Sequence, residues 1–165
     1  MDAKIVNESC YFDVRVAAII VKNGKVLVQK KMEDKYYYLP GGKLEIGEKC
    51  ENAVRREFFE ETGLNDLVVG EFAGVVENYY IKDEKKCHSI NLYFNCKLKE
   101  GSALFNIDVL EGVEKGKEIE YVWLDINGNN FVNLRPVCAQ NCVLAGENSF
   151  HVVNDIKNLS NGEKW

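Results

Sequence analysis

The chain has 165 residues, 46% of them hydrophobic and 28% charged, with a formal net charge of −5. That length suffices for one domain with a real core, and the composition is that of a soluble globular protein. The acidic balance argues against a nucleic-acid or membrane surface, where a basic patch is expected, and no apolar run approaches the ~20 residues of a membrane span.

Residues 1–10 read as a short polar lead-in, and Phe12 to Val21, rich in Val, Ile and Ala, as a mostly buried strand. Asn23-Gly24 between two apolar runs is a strong hairpin signal and leads into Val26-Leu27-Val28. Tyr36-Tyr37-Tyr38 reads as a short aromatic strand running into a turn at Pro40-Gly41-Gly42. A helix follows from about Lys49 to Thr62, closed by Gly63 at C′ with Leu64 as its hydrophobic follower. Residues 67–81 form a long strand candidate, with bends or bulges at Gly70 and Gly74. Lys82 to Lys86 is a charged turn. Beyond it Ile90, Leu92, Phe94, Cys96 and Leu98 alternate with Asn91, Tyr93, Asn95 and Lys97, the period of a half-buried strand. Residues 100–117 read as a variable loop, and Ile119 to Leu124 as a strand with Ile119, Tyr121 and Trp123 on one side. After a turn at 127–130, Pro136 opens a second helix to about Ala145, and Phe150 to Val153 adds a last strand. Strands before and after one helix, then a second helix, predict an α/β layered domain with a mixed sheet.

Six cysteines without a CxxC pair, and only His88 and His151, exclude zinc spacing. Cys50, Cys96, Cys138 and Cys142 fall at apolar positions and read as small core residues. With no signal peptide visible, a cytoplasmic protein with reduced thiols is expected.

The first helix carries the chemistry. Glu57, Glu60 and Glu61 stand at i, i+3 and i+4, and at about 100° per residue they share one arc of roughly 100°. Cys50, Ala53 and Val54 fall inside or beside that arc, so it is not the solvent face. Carboxylates crowded beside an apolar stripe repel one another and resist desolvation. A hard divalent cation removes both penalties, and oxygen-only ligands suit Mg²⁺ or Mn²⁺.

The stretch Gly42 to Leu64 resembles the Nudix box, GX5EX7REUXEEXGU with U apolar. Gly42, Glu48, Arg56, Glu57, Phe58, Glu60, Glu61, Gly63 and Leu64 fill every specified position, and Leu39-Pro40-Gly41 is similar to the usual lead-in. The resemblance implies a Nudix-type α/β/α sandwich with a mixed β-sheet and a loop–helix–loop catalytic motif, as a single domain over residues 1–165. It implies Mg²⁺-dependent hydrolysis, with Mn²⁺ as the alternative ion, of a nucleoside diphosphate linked to another moiety X. By the same resemblance Glu57, Glu60 and Glu61 match metal ligands, and Glu57 is the candidate base. Glu48 matches a residue supporting the metal or the water, and Arg56 the arginine that orients the glutamates. Gly41 and Gly42 would bring backbone N–H groups near phosphates or metal, and Arg15 and Lys30 would be basic phosphate contacts. Glu118 and Glu120 are candidates for a later acidic ligand, and Tyr37, Tyr38, Phe72, Tyr79 and Tyr80 for stacking on a base. His88 reads as structural.

No proline occurs between Pro40 and Pro136, so the proline often seen past the box in ADP-ribose pyrophosphatases is missing. The first-choice substrate is therefore a nucleoside triphosphate, as for MutT-like members. The expected partner is a small nucleotide, without nucleic acid or membrane, and a homodimer is allowed. Two other readings of the same fold are an isopentenyl-diphosphate-type isomerase, for which no Cys/Glu pair is evident, and a non-catalytic nucleotide-sensing domain, which would tend to lose box glutamates.

Overall fold

In the computed structural model, which describes residues 1–32, 34–146 and 148–154, pairing begins earlier than the sequence suggests. Residues 1–10 are not a lead-in: β1 (Lys4–Val6) runs antiparallel to the start of β2 (Cys10–Lys22), and Asp2 bridges to Glu45. The open edge of β2 has N–H and C=O groups to satisfy, and this short segment satisfies them. Three residues are too few to show a period.

The β2 strand turns at Asn23 and Gly24, both with positive φ (52° and 73°), into β3 (Lys25–Lys31), as an Asn-Gly hairpin should. The two strands stay paired only at Val21–Val26 and Lys22–Lys25, then part. Beside β3 lies β4 (Tyr37–Tyr38). The turn expected at Gly41-Gly42 is instead a strand, β5 (Gly41–Lys43), antiparallel to β2 with Lys43 opposite Arg15. It leads into α1 (Cys50–Thr62), whose end is set by Gly63 in the left-handed region, its N–H donating to the Phe59 carbonyl at 2.8 Å.

A long hairpin follows, β6 (Leu67–Lys82) and β7 (Lys85–Leu98), with register slips between Val69 and Gly74 where glycines interrupt the pattern. The β7 strand also pairs in parallel with β2 from Cys10–Lys86 to Ile20–Cys96. The 100–117 stretch is only partly loop. Ser102 caps a 3-10 turn at Ala103–Phe105, which buries Leu104, and β8 (Val109–Glu111) pairs with β9 (Ile119–Asp125). In turn β9 lies along the whole of β3. Then come a 3-10 turn (Asn129–Asn133), β10 (Leu134–Arg135) parallel to β4, and α2 (Cys138–Leu144). This second helix starts two residues later than expected because Arg135 is held in β10; the Pro136 carbonyl accepts from the Ala139 N–H at 2.8 Å. Parallel to β6 lies β11 (Phe150–Asn154). Residues 155–165, included in the expected single domain, lie outside the described residues.

Alternate residues of β2 feed two cores. Val16, Ala18 and Ile20 pack with Ala53, Val54 and Phe58 of α1, together with Leu27 and Tyr121. Ile19 packs on the other face with Ala139, Cys142 and Val143 of α2. A helix on each face of a mixed sheet is the expected α/β/α sandwich. Cys96, Cys138 and Cys142 are buried as expected, Cys50 is half-buried, and all six cysteines are free. No helix among the described residues is long and apolar enough to cross a membrane.

Candidate active site

Burial of Val54 and Phe58 fixes the rotation of α1 and so decides where its polar residues point. Arg56 then gives away all five of its N–H donors. Nε and Nη2 hold the two oxygens of Glu48, each at 2.9 Å. Nη1 holds Glu57 Oε1 at 2.9 Å and Glu60 Oε2 at 3.1 Å, and Nη2 also reaches the Lys43 carbonyl at 3.0 Å. One guanidinium thus ties the segment before the helix, the helix and β5 together. Its hydrogen bonds to Glu48 push the Arg56 pKa further up and hold the Glu48 carboxyl below its usual value.

The remaining carboxylates sit in less favourable surroundings. Burial raises the Glu57 pKa, against the lowering effect of Arg56. Glu61 is only 4% exposed, and burial pushes its pKa up to about 7 despite a hydrogen bond donated by the Tyr121 hydroxyl at 2.7 Å. The charge of Glu57 raises it further. Glu60 is the exposed member, with half of its side chain in solvent. The glycine at 42 has a steric reason: a Cβ there would run into the Glu57 carboxylate. At Gly41 a Cβ would meet the Val16 carbonyl across the β5–β2 pair.

A common pattern links the three box glutamates. Glu57 Oε1 and Glu60 Oε2 are held by Arg56, and Glu61 Oε2 by Tyr121. The second oxygen of each has no hydrogen-bond donor among the described residues, and none of the three is a sealed, unsatisfied atom. Among the described residues no three acidic, His or Cys groups stand as a ready-made metal cage.

These carboxylates line one cleft of about 700 Å³. Arg15, Lys30, Gly41, Gly42 and Arg56 line it too, so the structure brings the sequence-selected residues together; Glu48 acts from behind, through Arg56. Arg15 also reaches the buried Asp13 carboxylate at 3.4 Å, and Lys30 pairs with Glu120 at 3.4 Å. Glu120 is thereby tied to a lysine. Glu118 precedes β9 rather than sharing a strand face with it, and neither residue lines this cleft. The acid that does so from this region is Glu114, paired with Lys117 at 2.6 Å. Of the aromatic candidates Tyr38 lines the cleft, Phe72 packs edge-on to Phe94, and Tyr79 stacks on His88 at 4.3 Å.

Sequence reasoning missed Lys117, Glu114 and Tyr121, and also Gln29, which lines the cleft and lies 3.2 Å from the Tyr121 hydroxyl. The first two come from a stretch without a periodic signal, and Tyr121 reads as an ordinary core residue until its hydroxyl is seen on Glu61.

Comparison with known proteins places the family and the fold. The sequence model of the NUDIX domain matches residues 12–135. The chain is 39% identical over 66 residues to a MutT-like protein of Streptomyces ambofaciens, a match spanning 39% of this chain and only 42% of that relative. It is 32% identical over 116 residues to a Bacillus subtilis (strain 168) protein provisionally named as an 8-oxo-dGTP diphosphatase, covering 65% of this chain and 71% of the other. Its fold matches a crystal structure of a MutT protein from Bacillus halodurans with a TM-score of 0.58 at 23% identity, over 84% of this chain and 86% of that one. With its box complete and the domain match spanning most of the sequence, the chain belongs to the NUDIX domain family.

Proposed function

We propose that this chain is a pyrophosphohydrolase that uses water to cleave the P–O–P bridge of a nucleoside diphosphate derivative, with Mg²⁺ or Mn²⁺ held by Glu57, Glu60 and Glu61. The observation that carries the reading is the free oxygen on each of these carboxylates, all in one cleft flanked by basic side chains. The donor set is wholly carboxylate oxygen, which fits a hard divalent cation, and partial desolvation gives the site a reason to take one up. When bound, the cation would neutralise bridging phosphates and lower the pKa of water.

The chain's own groups supply the rest. Arg56 keeps Glu57 and Glu60 aimed into the cleft, and Glu48 keeps Arg56 in place. Glu57, through its free Oε2, is assigned the proton of the attacking water, a role typically worth ~10²–10⁴ in rate. Arg15 and Lys30, with the N–H groups of Gly41 and Gly42, are assigned to the phosphates. The new bond joins the water oxygen to phosphorus, and the bridging oxygen leaves with the second phosphate group. For a nucleoside triphosphate, our first-choice substrate, the products are the monophosphate and pyrophosphate. The name of the B. subtilis relative supports that choice. We take residues 1–165 as one cytoplasmic domain with reduced thiols, in keeping with six free cysteines.

The test is incubation with a panel of nucleoside triphosphates and diphosphate derivatives, with Mg²⁺ and with excess chelator. Hydrolysis that stops with chelator and returns with Mg²⁺ or Mn²⁺ is expected, with label from ¹⁸O-water entering a phosphate product in one step. Turnover persisting in chelator, isomerised product, or orthophosphate released from monoesters would sink the reading.

A further inference from the structure

Tyr121 is the least expected neighbour of the box. It lies on β9, sixty residues beyond Glu61, opposite Gln29 on β3, and only 1% of it is exposed. Its hydroxyl donates to Glu61 Oε2 at 2.7 Å and stands 3.2 Å from Gln29 Oε1; the Gln29 amide in turn donates to the Leu39 carbonyl at 3.4 Å. A chain of polar groups therefore runs from the residue before Pro40-Gly41, through the two strands, to the last glutamate of the box.

A buried phenol needs one acceptor, and a backbone carbonyl or Gln29 alone would serve. Here the shortest contact goes to the most deeply buried carboxylate of the site. The result is selective: Oε2 is fixed, while Oε1 has no donor and is not sealed off, and Glu61 lines the cleft. Glu61 is anchored at its backbone as well, its carbonyl accepting from the Val113 N–H at 2.8 Å. With main chain and one carboxylate oxygen both held, a single oxygen remains to face the cleft.

We propose that Tyr121 is a positioning residue for metal binding, holding Glu61 so that Oε1 is presented as a ligand, with Gln29 Oε1 a second, more distant acceptor for the same phenol proton. This rests on the metal reading given above and adds to it a residue outside the box. Supports of this kind, hydrogen-bonded to a metal-ligating carboxylate, change metal affinity or activity by ~10–100-fold when removed.

The experiment is Mn²⁺ and Mg²⁺ binding by calorimetry on the whole chain without substrate, beside the Mg²⁺ dependence of kcat. Tyr121→Phe is expected to weaken binding by ~10-fold or more and to raise the Mg²⁺ concentration for half-maximal rate. In a Glu61→Gln background the same substitution should add little, because its route runs through Glu61. Gln29→Met removes the competing acceptor, leaves the phenol proton wholly to Glu61, and should tighten binding by a smaller factor. It also serves as the test should Tyr121→Phe not fold. If the wild type binds metal and the folded variants bind it equally tightly, the positioning role is overturned while the metal reading stands. If Tyr121→Phe acts as strongly without the Glu61 carboxylate as with it, the role is merely structural. A wild type that binds neither ion overturns both.

Discussion

The Glu57 carboxylate occupies the space that any side chain at Gly42 would need. The two residues lie on different elements, one on α1 and the other on β5, fifteen positions apart in sequence. Gly42 is thus a shape requirement of the cleft, set by the close approach of a carboxylate. Gly42→Ala should fold, since the displaced group is the flexible end of a side chain. Its kcat should fall by ~10–100-fold as Glu57 is pushed aside. Circular dichroism and steady-state kinetics check this, and full activity in the variant would refute the steric role.

Glu57→Gln removes a charge and keeps the shape. We expect kcat to fall by ~10²-fold or more, about 2.7 kcal/mol of transition-state stabilisation. The thermal midpoint should change little, because Arg56 retains Glu48 and Glu60. Glu51→Gln is the control: Glu51 is exposed, about 120° around the helix from Glu57, and should be silent. Comparing specific activities of the two folded variants decides the matter.

Arg56→Lys is conservative in charge only. Five acceptors surround the guanidinium, and an ammonium has three donors and no fork. Unfolding in urea should show a loss of ~2 kcal/mol, the scale of hydrogen bonds to charged groups. Parent-like stability would mean that the clamp contributes nothing to folding.

The metal-free protein should lose stability as pH rises from about 4.5 to about 7. Glu61 is raised in the folded state, so over that range the folded chain holds a proton the unfolded chain has released. The span of 7 minus 4.5 units corresponds to a penalty on the order of 3 kcal/mol, fully present above pH 7. Glu48 works with the opposite sign. Its lowered pKa gives stability that is present above the unfolded value and lost as pH falls through the folded one. Thermal melts from pH 4.5 to 8 should therefore fall for the wild type and fall less steeply for Glu61→Gln, in which Glu57 still acts with the same sign. Mg²⁺ should stabilise most at the alkaline end, where the carboxylates are free of protons.

The box was legible because its chemistry is compressed into one helix and the loop before it, where spacing alone puts carboxylates on one side. The hairpin at Asn23-Gly24 and the slips near Gly70 and Gly74 were legible for a similar reason: local backbone demands select local residue types. What failed was long-range. Lys4–Val6 becomes a strand only because β2 leaves an edge open, and Gly41-Gly42 is straight rather than turned because β2 pairs with it. Alternation correctly set Ile119, Tyr121 and Trp123 on one core-facing side, but it could not reveal that one phenol among them meets an acid sixty residues away.

The brief pairing of β2 with β3 divides labour within the molecule. After two residue pairs the strands separate, β2 carrying β5 and the neighbours of α1, and β3 carrying β9. The glutamates therefore ride on one wing of the sheet and Tyr121 on the other, with the cleft opening between them. A bond of 2.7 Å from Tyr121 to Glu61 closes this angle like a clasp. Substitutions at Val21 or Val26, which do not line the cleft, would reach the chemistry as a change in how well that clasp meets.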